Sequence, residues 1–327
     1  MVTTIREGRP FRIVFFGTPA FAVPSLEAVL SSSHRVVGVV TQPDRPSGRG
    51  QRTREGPVKQ LAVARELPVF QPERLKDSAI LDEVRALASD LGVVVAYGKI
   101  LPESLLSIPA FGLINVHASL LPKYRGAAPI ERAVVAGETM TGVTIMRVVR
   151  ELDAGPMLAT STRPIGPFET SDVVAVDLAR LGARLLVETL DRMAHGAVEE
   201  TPQDDRRATY APRLQKHEGL IDWNRPAETV HNQVRGLQPW PLAFTYLNDR
   251  RYLILQTSPT DHEARESAGT ILEAVGERLL VATGSTPLQI FQIQPEGRRP
   301  MSVRDFLAGH RLSPGERFCQ AGVGPRP

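Results

Sequence analysis

The sequence predicts an α/β protein in which a Rossmann-like, mostly parallel sheet is followed by a small C-terminal β-barrel. Through the first half, short apolar runs alternate with amphipathic helical stretches. Those runs are apolar without interruption, as in strands buried on both faces, and lack the alternation of a sheet with one wet face. Beyond residue 225 the chain becomes a series of short strand-like pieces separated by turn residues. At 327 residues there is enough chain for two domains. The expected division is a domain over 1–200, a linker over 201–224 and a second domain over 225–327.

The elements follow in order. Arg12–Phe16 reads as a buried strand and Gly17-Thr18-Pro19 as the turn after it. Pro24–Leu30 reads as a helix with proline in its first turn, and Val36–Val40 as a second strand. Helices are expected at Val58–Glu66 and Ser78–Ser89, with a strand at Leu91–Val95. An apolar run through Phe111-Gly-Leu-Ile-Asn-Val-His117 gives the next strand, and Ala127–Ala136 a helix. Thr141–Arg147 and Met157–Arg163 read as strands joined through Asp153-Ala-Gly155. The long helix Ser171–Ala194 follows, with Thr170 or Ser171 as its cap and Asp172 in its first turn. Thr201–Asn224 is polar and irregular, with Pro202 and Pro212. Short strands are expected at Ala243–Asn248, Tyr252–Thr257, Gly269–Ala274, Leu279–Ala282 and Leu288–Gln294.

Composition narrows the class. A hydrophobic content of 42% with 23% charged residues is that of an ordinary globular protein. No run approaches the roughly 18 apolar residues of a membrane span, and Met1–Pro10 lacks the apolar stretch of a signal peptide. The single cysteine, Cys319, can form no internal disulfide, which fits a reducing, cytoplasmic setting. The net charge of +3 is unevenly spread: of 39 Lys+Arg and 36 Asp+Glu, residues 206–327 hold 16 and 12. A slightly basic C-terminal third is compatible with a polyanionic partner or with ordinary surface scatter.

Four motifs carry chemistry. The turn at Gly17 lacks the dinucleotide pattern G-x-G-x-x-G, and the Walker pattern is absent, so NAD and ATP are poor candidates. Asn115 and His117 stand two residues apart where a strand breaks into a loop; residues i and i+2 share a face, so both point into one space. Open α/β sheets bind ligands beyond the carboxyl ends of their strands. There an amide and an imidazole can stabilise an oxyanion and move a proton. A packed imidazole and a loop-anchoring Asn are the alternatives. Asp153, in Leu-Asp-Ala-Gly155, suits a turn when taken alone; paired with His117 it would hold the ring and select its tautomer. No second ligand stands at metal spacing from His117, and no cysteine pair exists, so no metal is expected. Asp44-Arg-Pro-Ser-Gly-Arg-Gly-Gln-Arg-Thr-Arg54 reads either as a solvated, mobile loop or as an arm whose Arg45, Arg49, Arg52 and Arg54 meet phosphates. Trp223 and Trp240 read as packing residues.

Several segments together resemble the methionyl-tRNA formyltransferase family over nearly the whole chain. They are Phe15-Phe-Gly-Thr-Pro-Ala-Phe-Ala-Val-Pro24, Thr41-Gln-Pro-Asp-Arg-Pro-Ser-Gly-Arg-Gly50 and Asn115-Val-His-Ala-Ser-Leu-Leu-Pro122. Tyr124-Arg-Gly-Ala-Ala-Pro-Ile130, Gly142–Met146, Leu152–Gly155, Ile221-Asp-Trp223 and Gln238-Pro-Trp-Pro241 complete them. The core signature alone is shared with nucleotide-sugar formyltransferases, the alternative reading; the arginine-rich loop and the C-terminal domain favour tRNA. The resemblance implies the formyltransferase fold with an OB-like C-terminal barrel that binds tRNA. It implies transfer from 10-formyltetrahydrofolate to the amino group of initiator methionyl-tRNA, with no metal. Asn115, His117 and Asp153 would be catalytic, and Ser119, Leu120, Leu121 and Pro122 would line the folate pocket. Arg45, Arg49, Arg52 and Arg54 would meet the acceptor stem, Arg49 first among them. A cytoplasmic monomer that binds no membrane is expected.

Overall fold

The computed structural model describes residues 8–47, 52–263 and 265–319. They form two compact units. One holds the chain up to residue 129 with 140–164 and 175–211; the other holds 130–139, 165–174 and the chain from 212 onward. The boundary therefore follows no single cut in the sequence. Residues 201–211, the first half of the stretch read as a linker, are built into the first unit.

In chain order the elements are β1 (Arg12–Gly17), α1 (Val23–Leu30), β2 (Arg35–Val40), β3 (Arg45–Ser47), β4 (Arg52–Arg54), α2 (Pro57–Ala64), β5 (Val69–Phe70), α3 (Ser78–Ala86), β6 (Leu91–Val95), α4 (Glu103–Leu106) and β7 (Leu113–His117). There follow β8 (Arg125–Gly126), α5 (Pro129–Val135), β9 (Met140–Arg147), β10 (Met157–Pro164), α6 (Ser171–Ala194) and β11 (Tyr210–Ala211). One seven-stranded sheet runs β10-β9-β7-β6-β1-β2-β5. Its five strands from β7 to β5 are parallel, whereas β9 runs antiparallel to both neighbours. The mostly parallel sheet expected from the apolar runs is what forms. Ile13, Val14, Phe15 and Phe16 of β1 are fully buried, as a central strand covered on both faces requires.

One face packs Val14, Phe16, Val40 and Leu113 against Ile80 and Val84 of α3 and Leu105 of α4. On α6, Gly182 lies so close to Val116 and Val143 that a Cβ there would sit 2.8 Å from a Val116 methyl. The helix thus covers β7 and β9. Two helices end earlier than expected: Glu66 and Ala88 adopt positive φ just beyond α2 and α3, which stops further helical turns. The loop expected over 44–54 contains an antiparallel ribbon, with Arg45 opposite Arg54 and Ser47 opposite Arg52.

The second unit contains α7 (Ala227–Gly236), β12 (Ala243–Leu247), β13 (Arg250–Pro259), β14 (Ile271–Val275), β15 (Arg278–Val281), β16 (Leu288–Pro295), β17 (Met301–Ser302) and α8 (Val303–Gly309). The sheet order is β12-β13-β16-β15-β14, with β17 beside β16, and the pairs are antiparallel. Residues 316–319 join the two edges: Cys319 bridges Tyr246 of β12, and Arg317 bridges Thr270 ahead of β14. These bridges cover part of each edge strand. The interior of the unit holds Ile254, Ile271, Leu279, Ile290, Ile293, Phe306 and Phe318 with Val230 and Val234 of α7. Trp223 stacks on Phe318 and donates its indole N–H to Thr245. It packs as expected, whereas Trp240 is half exposed. Helix α8 has no counterpart in the sequence reading. Its start is marked by Ser302, whose hydroxyl accepts from the Asp305 backbone N–H.

Candidate active site

Strand β7 brings Asn115 and His117 to the carboxyl end of the parallel strands, on one face of the sheet. Asn115 lies between Val94 and Met146, and His117 lies opposite Thr144. The partly buried Asn115 carboxamide has no protein partner among the described residues, so both amide hydrogens are uncommitted.

His117 is 5% exposed and fixed from two sides. Its Nε2 lies 2.9 Å from the Tyr124 carbonyl oxygen. A carbonyl only accepts, so Nε2 carries a hydrogen and Nδ1 is the nitrogen left for chemistry. That Nδ1 lies 3.7 Å from Oδ2 of Asp153, within ion-pairing range but beyond a hydrogen bond. The same Oδ2 accepts the backbone N–H of Gly126 at 2.8 Å. The structure therefore brings His117 and Asp153 together. Asn115 joins them through the strand and not through a hydrogen bond.

Asp153 occupies the left-handed region at φ 49°, in the turn between β9 and β10. At Gly155 a Cβ would sit 1.9 Å from the Arg147 carbonyl oxygen, which glycine alone avoids. Two residues that the sequence reading missed hold this turn. Gln203 donates from Nε2 to the carbonyls of Asp153 (2.9 Å) and Gly155 (2.8 Å). Its Oε1 accepts from Nε and Nη2 of Arg125, whose Nη2 also reaches Asp205 at 2.7 Å. Arg125 stood inside a family-like motif, but Gln203 lay in polar, irregular sequence and gave no signal.

The segment Ser119–Pro122 follows β7 directly and is tied to β9. Thr144 Oγ1 donates to the Ser119 carbonyl at 2.7 Å and accepts the Leu121 N–H at 3.2 Å. The Ser119 hydroxyl closes the loop on the Lys123 carbonyl at 2.6 Å. Leu120 packs over Gly142, Leu121 is buried, and the Leu121–Pro122 peptide is cis. Thr209 accepts the Tyr124 N–H on its hydroxyl, and β8 pairs in parallel with β11. Thr144, a buried hydroxyl between Val143 and Ile145 in β9, was the one readable sign of this loop's anchor.

Arg45, Arg52 and Arg54 lie on the β3–β4 ribbon, while Arg49 lies outside the described residues. The ribbon's base is anchored by Asp44, which meets Lys59 Nζ at 2.5 Å and Gln71 Nε2 at 2.8 Å. These two bonds hold the Asp44 carboxyl below its ordinary range. Among the described residues no group of three His, Cys, Asp or Glu side chains could hold a metal, and no helix is long and apolar enough to cross a membrane.

Residues 11–190 match the family described as Formyl transferase, and residues 213–311 match Formyl transferase, C-terminal domain. A methionyl-tRNA formyltransferase of Pelobacter propionicus is 48% identical over 305 residues, 93% of this chain and 94% of that protein. Among solved structures, HypX from Aquifex aeolicus in complex with tetrahydrofolic acid superposes with a TM-score of 0.62 at 16% identity, over 91% of this chain and 47% of that one. An N-formyltransferase from Helicobacter canadensis, in complex with folinic acid and dTDP-3-aminofucose, gives a TM-score of 0.65 at 18% identity, over 87% of this chain and 99% of that one. At such identities the two structures establish a shared fold and nothing narrower.

Proposed function

The chain belongs to the methionyl-tRNA formyltransferase family, and from that premise we propose that it transfers the formyl group of 10-formyltetrahydrofolate to the α-amino group of initiator methionyl-tRNA. The observation that carries this reading is identity of 48% running through both domains, against 18% to the nucleotide-sugar enzyme of the same fold. The donor supplies a formyl group on a nitrogen, already activated for transfer.

The residues act as follows. The neutral amine of the methionyl ester attacks the formyl carbon, and a tetrahedral oxyanion develops. Asn115 donates to that oxygen from its uncommitted carboxamide, a contribution that typically accounts for about 10²–10³ in rate. His117, with Nε2–H committed to Tyr124, handles the proton at Nδ1, on the side of Asp153. Asp153 balances the charge of the protonated ring and relays the proton lost by the attacking amine towards the folate nitrogen that leaves. A C–N bond to the amine forms, the C–N bond to the folate breaks, and one proton moves between the two nitrogens. Ser119–Pro122 lines the pocket of the folate. The second unit and the arginines of the β3–β4 ribbon engage the tRNA backbone.

His117→Ala separates catalysis from binding. Loss of formyl transfer with charged tRNA still retained on a filter is expected. Full transfer activity in that variant would remove His117 from the reaction, and binding of charged tRNA with no transfer by the wild-type protein would leave a non-catalytic RNA-binding protein on this fold as the better account.

A further inference from the structure

We infer that Gln203 is a positioning residue for transfer, acting through Asp153. This inference rests on the assignment of proton transfer to Asp153. Three observations lead to it. Asp153 sits at φ 49°, in the left-handed region that few residues other than glycine, asparagine and aspartate enter. The two backbone carbonyls that flank this turn, of Asp153 and of Gly155, both accept from one amide nitrogen, Nε2 of Gln203. That amide is itself locked, because Arg125 donates twice to its Oε1 and so dictates which end of the carboxamide faces the turn.

Arg125 is 4% exposed, and its neighbour Gly126 donates its backbone N–H to the Asp153 carboxylate. One dipeptide thus grips the acid from two directions: directly at the carboxylate through Gly126, and at the backbone through the Arg125–Gln203 pair. Asp205 completes the frame by accepting from Arg125 at 2.7 Å. Gln203 makes no hydrogen bond to His117 or to the Asp153 carboxylate; its hold on the acid is through the backbone carbonyls. Its effect is to hold the Asp153 carboxylate at its distance from His117 Nδ1. Residues 201–211, taken from sequence as a linker, carry this part of the site.

The test is a double-mutant cycle between Gln203 and Asp153. Gln203→Glu keeps an acceptor for Arg125 but replaces the amide donor with a second oxygen facing the two carbonyls. In the full-length enzyme it should lower kcat by roughly tenfold to a hundredfold, the loss typical of a sub-ångström to ångström misplacement, with KM for folate donor and for charged tRNA little changed. In an Asp153→Asn background the same change should cause no further loss, since the group it positions has lost its charge. An equal loss in both backgrounds, or an unchanged kcat in Gln203→Glu alone, overturns the inference. If Asp153→Asn alone keeps wild-type kcat, the underlying assignment of Asp153 fails, and Gln203 falls with it. Should Gln203→Glu not fold, Gln203→Met, of similar length and without a donor, is read by the same criteria.

Discussion

His117 and Asp153 face each other across 3.7 Å, with Nδ1 of the ring turned towards Oδ2 of the acid and Nε2 already bonded to a backbone carbonyl. The ring therefore has one free nitrogen, and that nitrogen is the one beside the carboxylate. Asp153→Asn keeps an oxygen for the Gly126 N–H while removing the charge. It should lower kcat by about 10²–10⁴-fold, the usual weight of a general acid–base group, with both KM values nearly unchanged. Steady-state kinetics on charged tRNA check this, and an unchanged kcat contradicts it.

Asn115 contributes a different term. Asn115→Ala removes a hydrogen-bond donor and leaves the His117–Asp153 pair intact. A loss of about 10²–10³ in kcat is expected, the range for deleting one oxyanion donor. Because its carboxamide has no protein partner among the described residues, the substitution leaves no buried group unpaired, and the melting temperature should hardly move. A large fall in melting temperature with normal kcat would assign Asn115 to the fold instead.

The arginines of the stretch 44–54 are expected to act on tRNA and not on the folate. Replacing Arg45, Arg49, Arg52 and Arg54 by Ala together should raise KM for charged tRNA and leave KM for the donor unchanged. The slope of log affinity against log salt should fall by about 0.7–0.9 for each phosphate that is no longer neutralised. Filter binding across a salt series measures it. An unchanged slope would remove these arginines from the tRNA interface.

Stability should depend on His34. Its Nδ1 accepts the Phe11 N–H at 3.0 Å, and burial pushes its pKa down from 6.5, more strongly than Asp191 raises it. A depressed pKa means that the folded state favours the neutral ring, so His34 adds stability above pH 6.5 that is lost as pH falls through the folded pKa. His34→Asn should be less stable at neutral pH yet lose less stability on acidification. Denaturant unfolding at several pH values reads both effects. Equal acid sensitivity of variant and wild type would contradict the account.

The fold was legible wherever burial imposed a period. The uninterrupted apolar run Ile13–Phe16 marks a strand covered on both faces, and the short strands beyond residue 243 mark the antiparallel sheet of the second unit. What escaped reading depended on partners remote in sequence. The β3–β4 ribbon is held by pairing and by Lys59 and Gln71 at its base, none of which leaves an apolar pattern. The chain's return through 130–139 and 165–174 into the second unit is likewise invisible to composition. In the site, Asn115 and His117 were readable because strand geometry fixes their common face. Gln203 was not, because its role lies 50 residues from Asp153 along the chain and rests on an amide bonding backbone carbonyls.

Formylation of an amino group carried by tRNA is tested most directly by an acceptor competition. The measurement supplies 10-formyltetrahydrofolate with either charged initiator methionyl-tRNA or a nucleotide-linked amino sugar, and follows formyl incorporation into each. Rapid formylation of the methionyl-tRNA, with little or none of the sugar, is the predicted result. Transfer to the sugar with none to the tRNA would contradict it.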